Sequence, residues 1–127
     1  MNIQEAMKTI KESGLSVEEL INIEQLTMKE DTYGTKYWYL NDKLHRVDGP
    51  AIEYTNGTKF WYLNGKLHRE DGPAIEYSSG TKRWFLNGKL HREDGPAIEY
   101  ADGEKRWFLN GKYQFVINND GTFEVGE

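Results

Sequence analysis

The sequence contains no cysteine, which excludes disulfide bonds, thiolate catalysis and cysteine-based zinc sites. It also has no apolar run approaching the roughly 20 residues needed to span a bilayer. Its first residues, MNIQEAMKTIKESG, lack the apolar core of a signal peptide. We therefore expect a cytoplasmic protein with no membrane span.

A basic stripe is also missing from the sequence. Residues 1–31 hold three lysines against seven acids, a balance of −4, whereas the windows 35–57, 58–80 and 81–103 each hold equal numbers of basic and acidic groups. Direct binding of nucleic acid relies on clustered Lys and Arg. We therefore expect no nucleic-acid binding, and we assign the acidity of the chain to its N-terminal segment.

Internal repetition is the dominant feature that is present. Four tryptophans recur at a strict spacing of 23, namely Trp38, Trp61, Trp84 and Trp107. The units begin at residues 34, 57, 80 and 103, and they read GTKYWYLNDKLHRVDGPAIEYTN, GTKFWYLNGKLHREDGPAIEYSS, GTKRWFLNGKLHREDGPAIEYAD and the partial GEKRWFLNGK. We call them repeats 1 to 4. Such a period is typical of stacked units that bury a shared core.

Each repeat contains two turn signals. Repeats 2 to 4 place an Asn-Gly pair between apolar-rich runs, as at Asn64-Gly65, and repeat 1 has the weaker Asn41-Asp42. Asn-Gly is typical of two-residue β-hairpins, and a second glycine turn, such as Thr55-Asn56-Gly57, joins one repeat to the next. We predict a mainly β fold, an elongated single-layer antiparallel meander of tandem β-hairpin repeats that lengthens by roughly 9.6 Å per repeat.

Alternation along the first strand of a repeat assigns side chains to two faces. Lys59, Trp61 and Leu63 point one way, and Phe60 and Tyr62 point the other. The Trp/Leu row is constant in all four repeats, so we predict that it forms the packed face. The row one residue before each tryptophan changes from aromatic to basic along the chain, as Tyr37, Phe60, Arg83 and Arg106.

A short helical segment is predicted at the N-terminus. Apolar residues recur at helical spacing within residues 2–12, and Ser16 with Glu19 forms a capping box for a second helix. These helices are placed to cover the sheet where Tyr37 and Phe60 are apolar, and Arg83 and Arg106 would then lie beyond the cover. The alternative is that the changing row is a graded binding surface.

Each full repeat also carries His-Arg-x-Asp, but no other feature of a catalytic loop accompanies it. Equivalent histidines should lie roughly 9.6 Å apart, which is too far for two of them to share a zinc ion. We therefore expect no enzyme activity, no metal and no cofactor. Arg69 and Asp71 can instead meet on one face, while Asp-Gly-Pro forms a bend or bulge.

The pattern W-[YF]-x-N-G-K-x-H-R-x-D-G-P-A-x-x-Y-x-x-G resembles the MORN repeat, in a variant with units of about 23 residues that is frequent in proteins of bacteriophages, giant viruses and some bacteria. The resemblance covers residues 34–112. It implies an elongated sheet of stacked hairpins and a scaffold role, and one bacterial branch of the family is labelled antitoxin-like. We divide the chain into an N-terminal helical segment (1–25), a MORN-like repeat sheet (26–112) and a C-terminal capping hairpin (113–127), within one structural domain.

Three function classes remain. The leading one is a non-enzymatic protein-binding repeat module, whose sharper form is a phage or mobile-element inhibitor that blocks a bacterial defence protein or toxin in the host cytoplasm. The second is a self-associating scaffold, a homo-oligomer, because sheets end in unpaired strands. The third is a carbohydrate- or lipid-binding module. Aromatic and Arg residues are common interface anchors, so the predicted partner-binding residues are Glu5, Glu12, Glu18, Glu19, Tyr62, Arg83, Phe85, Arg106 and Phe108.

Overall fold

The structure is a computed structural model that describes residues 26–126 together with Gln4, Glu5, Lys8, Lys11, Glu12, Gly14 and Ser16. These residues contain fifteen strands. In chain order they are β1 (Thr27–Glu30), β2 (Lys36–Leu40), β3 (Lys43–Leu44), β4 (Ile52–Glu53), β5 (Lys59–Phe60), β6 (Tyr62–Leu63), β7 (Lys66–Leu67), β8 (Ile75–Glu76), β9 (Lys82–Arg83), β10 (Phe85–Leu86), β11 (Lys89–Leu90), β12 (Ile98–Glu99), β13 (Lys105–Leu109), β14 (Lys112–Ile117) and β15 (Phe123–Val125).

The strands form one main sheet with the order β1-β2-β4-β5-β8-β9-β12-β13-β14-β15, with β3 also paired to β2. Every pairing is antiparallel. The Asn-Gly hairpins of repeats 2 and 3 form two separate two-stranded ladders, β6 with β7 and β10 with β11. The predicted mainly β meander is therefore confirmed.

The N-terminal segment is described only in part. Gln4, Glu5, Lys8, Lys11 and Glu12 lie in helical turns and are exposed. Ser16 of the predicted capping box is exposed. The rest of the predicted second helix, with Glu19 of the capping box, and the apolar positions of the first helix lie outside the described residues. Within the part of the chain that is described, no helix is long and apolar enough to cross a bilayer.

The hairpin turns have the backbone that their sequences demand. Asn64 and Gly65 have φ values of 50° and 79°, and the Asn-Gly pairs of repeats 3 and 4 repeat this geometry. Positive φ at both central positions defines the type I′ turn, which matches the twist of the flanking strands. Asn41 and Asp42 adopt it as well, with φ values of 51° and 63°.

Each of the first three tryptophans brackets a loop of seven residues on the opposite side of the ladder. The carbonyl oxygen of Trp61 accepts from the N–H of His68 at 3.0 Å, and the N–H of Trp61 donates to the carbonyl of Ala74 at 2.8 Å. Residues 68–74, HREDGPA, therefore leave the ladder opposite a single residue and rejoin it. Trp38 and Trp84 bracket the equivalent residues 45–51 and 91–97 in the same way. We call these three segments the bracketed loops.

The most buried side chains lie at the last residue of each bracketed loop and at the residue after it. Ala51, Ala74 and Ala97 are fully buried, and the isoleucine after each of them is about 5% exposed. The tryptophans are only half-buried. The alanines lie on the face of the Trp/Leu row, which the sequence predicts as the packed face, because Ala51 lies across from Trp38 and Ala74 across from Trp61. Each of the three isoleucines is paired with a strand on both sides, whereas Trp38, Trp61 and Trp84 each border a bracketed loop.

Consecutive repeats are joined by hydrogen bonds outside the main sheet. The N–H of Gly65 donates to the carbonyl of Leu44 at 2.8 Å. The N–H of Asn64 donates to Nδ1 of His45 at 2.9 Å, and Asn87 and Asn110 make the same bond to His68 and His91. Each histidine is therefore an acceptor that fixes the next hairpin. The sequence argues against a catalytic or metal-binding role for the histidines, but it does not predict this bond.

The described chain ends in a hairpin at the place where the sequence predicts one. Strands β14 and β15 pair around a turn at residues 118–122. Phe115 occupies the position that Arg92 holds in repeat 3, and its ring stacks on Trp107 with 4.4 Å between centroids. The end of the stack thus replaces a half-buried cation by an apolar ring.

Candidate functional site

The two faces of the main sheet carry different chemistry. We call the face with the three core isoleucines the aromatic face, and the face with the tryptophans the Trp face. On the aromatic face the variable row alternates with isoleucine across the sheet, because Ile75 pairs with Phe60 on one side and with Arg83 on the other. The whole row runs through Tyr37, Ile52, Phe60, Ile75, Arg83, Ile98, Arg106 and Val116.

Tyrosines at the ends of the AIEY segments flank this row. The Phe60 ring meets the edges of Tyr54 and Tyr77, with centroids 5.5 and 6.0 Å apart. One repeat later the guanidinium of Arg83 lies 5.7 Å from the centroid of Tyr77. The row thus changes from a ring packed among rings to a cation packed against them, which is favourable because aromatic faces are electronegative.

The two arginines of the row differ in their partners. Arg106 reaches the carboxylate of Glu104 through Nη2 at 3.3 Å. Burial lowers the pKa of Arg106, but the hydrogen bond and charge of Glu104 and nearby tyrosines outweigh burial and leave the pKa raised. Arg83 has no carboxylate within 4 Å among the described residues. The Nε atoms of both arginines are buried without a hydrogen-bond partner, so Arg83 lacks both a counter-charge and an acceptor at Nε.

A phenol also contributes to this face. The rings of Phe60 and Tyr62 lie 6.5 Å apart, which places Tyr62 on the aromatic face. Burial raises the pKa of Tyr62, and the neighbouring Tyr54 and Tyr77 raise it further. The phenol is therefore a protonated hydrogen-bond donor at neutral pH.

On the Trp face the three arginines of the bracketed loops bind groups of their own repeats. Arg69 stacks on Trp61 with its guanidinium carbon 3.9 Å from the ring centroid. Its Nε bonds Asp71 at 3.0 Å, and its Nη1 bonds the carbonyl of Pro73 at 3.1 Å and Glu76 at 3.3 Å. Arg46 and Arg92 make the same set of contacts in repeats 1 and 3.

A glycine makes this arrangement possible. A Cβ at residue 72 would lie 3.0 Å from the guanidinium carbon of Arg69. The Asp-Gly-Pro bend predicted from the sequence therefore has a second role, which is to let the arginine lie flat against the backbone. The predicted meeting of Arg69 with Asp71 is confirmed.

Open grooves of about 700 Å³ separate neighbouring bracketed loops on the Trp face. The groove between repeats 2 and 3 is lined by Trp84, by the engaged pair Arg69 and Asp71, and by exposed carboxylates such as Glu93. Within the described ranges, no group of three or more His, Asp or Glu residues is arranged to hold a metal ion.

The structure brings five of the predicted partner-binding residues to one surface. Arg83 and Arg106 lie in the row of the aromatic face, and strand alternation places Phe85 and Phe108 beside them as Tyr62 lies beside Phe60. All five are half-buried.

The predicted acidic residues lie elsewhere in the chain. Glu5 and Glu12 are exposed, and Glu12 lies 4.0 Å from Lys8, while Glu18 and Glu19 lie outside the described residues. Sequence reasoning missed Tyr77 and Tyr100, which flank the two arginines. The final tyrosine that recurs in each AIEY segment was the available signal.

Comparison of the chain with protein-family models and with curated proteins found no match.

Proposed function

We propose that this protein is a non-enzymatic protein-binding repeat module and that its aromatic face holds the partner. Arg83 carries the proposal. It is a half-buried cation stacked on Tyr77, and no carboxylate of the described residues neutralises it. On the opposite face, the equivalent charge of Arg69 is neutralised twice within its own repeat.

An unneutralised cation among aromatic rings is suited to a particular kind of partner. Burying an arginine costs free energy unless a carboxylate accepts its hydrogen bonds. A partner that inserts an acidic side chain next to apolar ones would satisfy Arg83 and cover the surrounding rings. Clusters of aromatic and Arg residues commonly supply most of the binding free energy of an interface.

The finer proposal is that the protein is a phage or mobile-element inhibitor that binds and blocks a bacterial defence protein or toxin in the cytoplasm of the host. The resemblance to MORN repeats of phage and bacterial proteins supports it. The small cysteine-free design and the acidity of residues 1–31, which hold three lysines against seven acids, agree with a module that recognises one target by shape and charge.

The experiment begins with affinity capture from bacterial lysate and mass spectrometry, which identifies a stoichiometric partner. The purified partner is then titrated by calorimetry against the full chain, Arg83→Ala, Phe85→Ala and the control Lys82→Ala. Lys82 lies beside Arg83 in β9 but points to the Trp face, since it pairs with Glu76 and Glu99. We expect the first two variants to weaken binding at least about tenfold and the control to bind like the parent protein.

Two results would overturn the proposal. One is a partner whose affinity falls equally in Lys82→Ala and Arg83→Ala, which would remove the aromatic face from the interface. The other is the absence of any stoichiometric partner. The finer proposal fails separately, if the captured partner is neither a defence protein nor a toxin.

A further inference from the structure

The main sheet ends in two exposed strands of complementary character. Strand β1 pairs only with β2, and β15 only with β14, among the described residues. All residues of both strands are exposed. Met28 in β1 is 50% exposed, and Phe123 and Val125 in β15 are 67% and 71% exposed. Exposed strand edges that carry apolar side chains are templates for pairing with another chain.

The direction of the free backbone groups follows from the ladders. In β15, the N–H of Gly126 bonds Gln114 and the carbonyl of Thr122 accepts from Asn118. Because hydrogen-bonded pairs alternate in an antiparallel ladder, Phe123 and Val125 aim their backbone groups outward. In β1 the N–H of Asp31 bonds Thr35, and by the same alternation Met28 and Glu30 aim outward.

An antiparallel register brings these four residues together. Placing Met28 of one copy opposite Val125 of another also places Glu30 opposite Phe123, so that all outward N–H and C=O groups find partners. Met28 lies across from Trp38, and Val125 lies across from Phe115. Both are therefore on the Trp face, and two exposed apolar side chains meet.

The same register joins two opposite charges on the aromatic face. Lys29 pairs with Tyr37 of the variable row, and Glu124 pairs with Val116 of that row. Lys29 and Glu124 would then be directly opposite each other in a non-hydrogen-bonded pair, where side chains approach most closely. Opposite charges at such a position stabilise pairing, and like charges destabilise it.

We propose that β15 of one copy pairs antiparallel with β1 of a second copy in this register, so that the chain associates head to tail and extends the sheet across the junction. The contact is heterologous, so that each copy keeps one free edge and the assembly grows without closing. It uses no residue of the Arg83 surface, and it is independent of partner binding there.

The junction is short, so association between copies is expected to be weak. Three or four residues on each side bury much less than the roughly 1,200 Å² of a stable interface, so association is weak and depends on concentration. Lys29 and Glu124 lie directly opposite each other only in this register, and the charges on both edges limit uncontrolled edge pairing.

Sedimentation velocity over a range of concentrations tests the proposal with charge reversals. Lys29→Glu places two glutamates at the junction, and Glu124→Lys places two lysines there. Each variant alone should associate about tenfold more weakly than the parent protein. Lys66→Glu is the matched control, because it makes the same charge change on an exposed residue of an inner hairpin and should associate normally.

Mixing provides the decisive readout. In an equimolar mixture of Lys29→Glu and Glu124→Lys, the two substituted side chains face each other with opposite charge at every alternate junction, and the unchanged Lys29 and Glu124 meet at the rest. Association should return to the parent level, as it should in the double variant Lys29→Glu/Glu124→Lys. Melting temperatures close to that of the parent establish that each variant is folded.

A backbone variant tests the register without a change of charge. Val125→Pro removes an outward N–H that β14 does not use, so the hairpin should remain intact while association is lost. A parent protein that stays monomeric at every concentration would overturn the proposal. So would single variants that associate like Lys66→Glu, or a mixture that does not recover.

Discussion

Arginines on the two faces of one sheet have opposite surroundings. Arg69 lies on Trp61 and is held by two carboxylates and a carbonyl of its own repeat. Arg83 lies against Tyr77, with no carboxylate of the described residues in reach and with its Nε unsatisfied. The first recurs at Arg46 and Arg92, whereas the second replaces the rings of Tyr37 and Phe60 at the same position of earlier repeats.

This difference separates arginines that stabilise their own repeat from an arginine that has no carboxylate partner in the described residues. A cation that is neutralised within its own repeat stabilises the bracketed loop, and few of its hydrogen-bond donors remain free. A cation that interrupts a row of rings gains little from its own fold, since a buried unpaired polar atom costs free energy. No carboxylate of the described residues neutralises the charge of Arg83, whereas Arg69 is neutralised twice.

The largest effect on stability is expected for a tryptophan of the Trp face. Trp61→Ala removes the ring under Arg69 and leaves a cavity beside the bracketed loop, so we expect the free energy of unfolding to fall by about 3 to 5 kcal/mol. Thermal and denaturant unfolding measure it. A melting temperature like that of the parent would show that the half-buried tryptophans do not support the repeat.

Arg69→Ala should have the next largest effect. It removes one cation–π contact and leaves Asp71, Glu76 and the carbonyl of Pro73 without their donor, which we expect to cost about 2 kcal/mol. Arg69→Lys is the control, because it keeps the charge but cannot fill the planar arrangement of donors. If the lysine variant were as stable as the parent, charge alone would explain the role of Arg69.

The sequence predicted the features of the fold that depend on a few neighbouring residues, and it did not predict those that depend on contacts between repeats. The strict spacing of the tryptophans and the Asn-Gly pairs predicted the meander, because turn geometry depends on only two residues. Alternation placed Tyr62 and Arg83 on one face. It did not identify Ala74 and Ile75 as the core, since burial depends on which residues face a neighbouring repeat.

The hydrogen bonds between repeats could not be predicted from the sequence, because they too depend on contacts with a neighbouring repeat. The bond from Asn64 to His45 spans 19 residues, and nothing in the local pattern shows which atom a histidine offers. The sequence predicted the surroundings of Arg69 but not those of Arg83. Arg69 and Asp71 stand two residues apart, but the isolation of Arg83 depends on the absence of carboxylates from neighbouring strands.

Acid should weaken the bracketed loops through His45. Burial lowers the pKa of His45 from its ordinary value of 6.5, so the unfolded chain binds the proton more tightly than the folded protein. This contribution to stability is complete above pH 6.5 and is lost as the pH falls through the lowered pKa. Protonated Nδ1 cannot accept from Asn64, and we expect a loss of about 1 kcal/mol for that bond.

Melting temperatures between pH 7.5 and 5 measure this effect. His45→Gln should be less stable at pH 7.5 but should have a shallower dependence on pH, because it cannot take up the proton. His68 and His91 lie near the carboxylates of Glu70 and Glu93, whereas His45 has Val47 at the equivalent position. Val47 cannot stabilise a protonated histidine as a carboxylate would. Equal slopes in the two proteins would show that His45 does not couple stability to pH.

The smallest effect on stability, and the sharpest test of the contrast, is expected for Arg83→Phe. This change gives repeat 3 the residue that repeat 2 has at the same position, and it removes the unsatisfied Nε. The new ring would pack against Tyr77 as Phe60 does at 6.0 Å. We expect a gain of about 0.5 to 1 kcal/mol in the free energy of unfolding.

The same substitution should weaken binding of the proposed partner, because it removes the cation from that surface and puts an apolar ring in its place. A residue whose replacement stabilises the fold while it weakens binding is retained for function, since such sites are where stability and activity conflict. Arg69→Phe is the matched comparison and should lose stability. If Arg83→Phe were destabilising as well, the two arginines would both be structural, and the proposal that the aromatic face binds a partner would lose the observation that carries it.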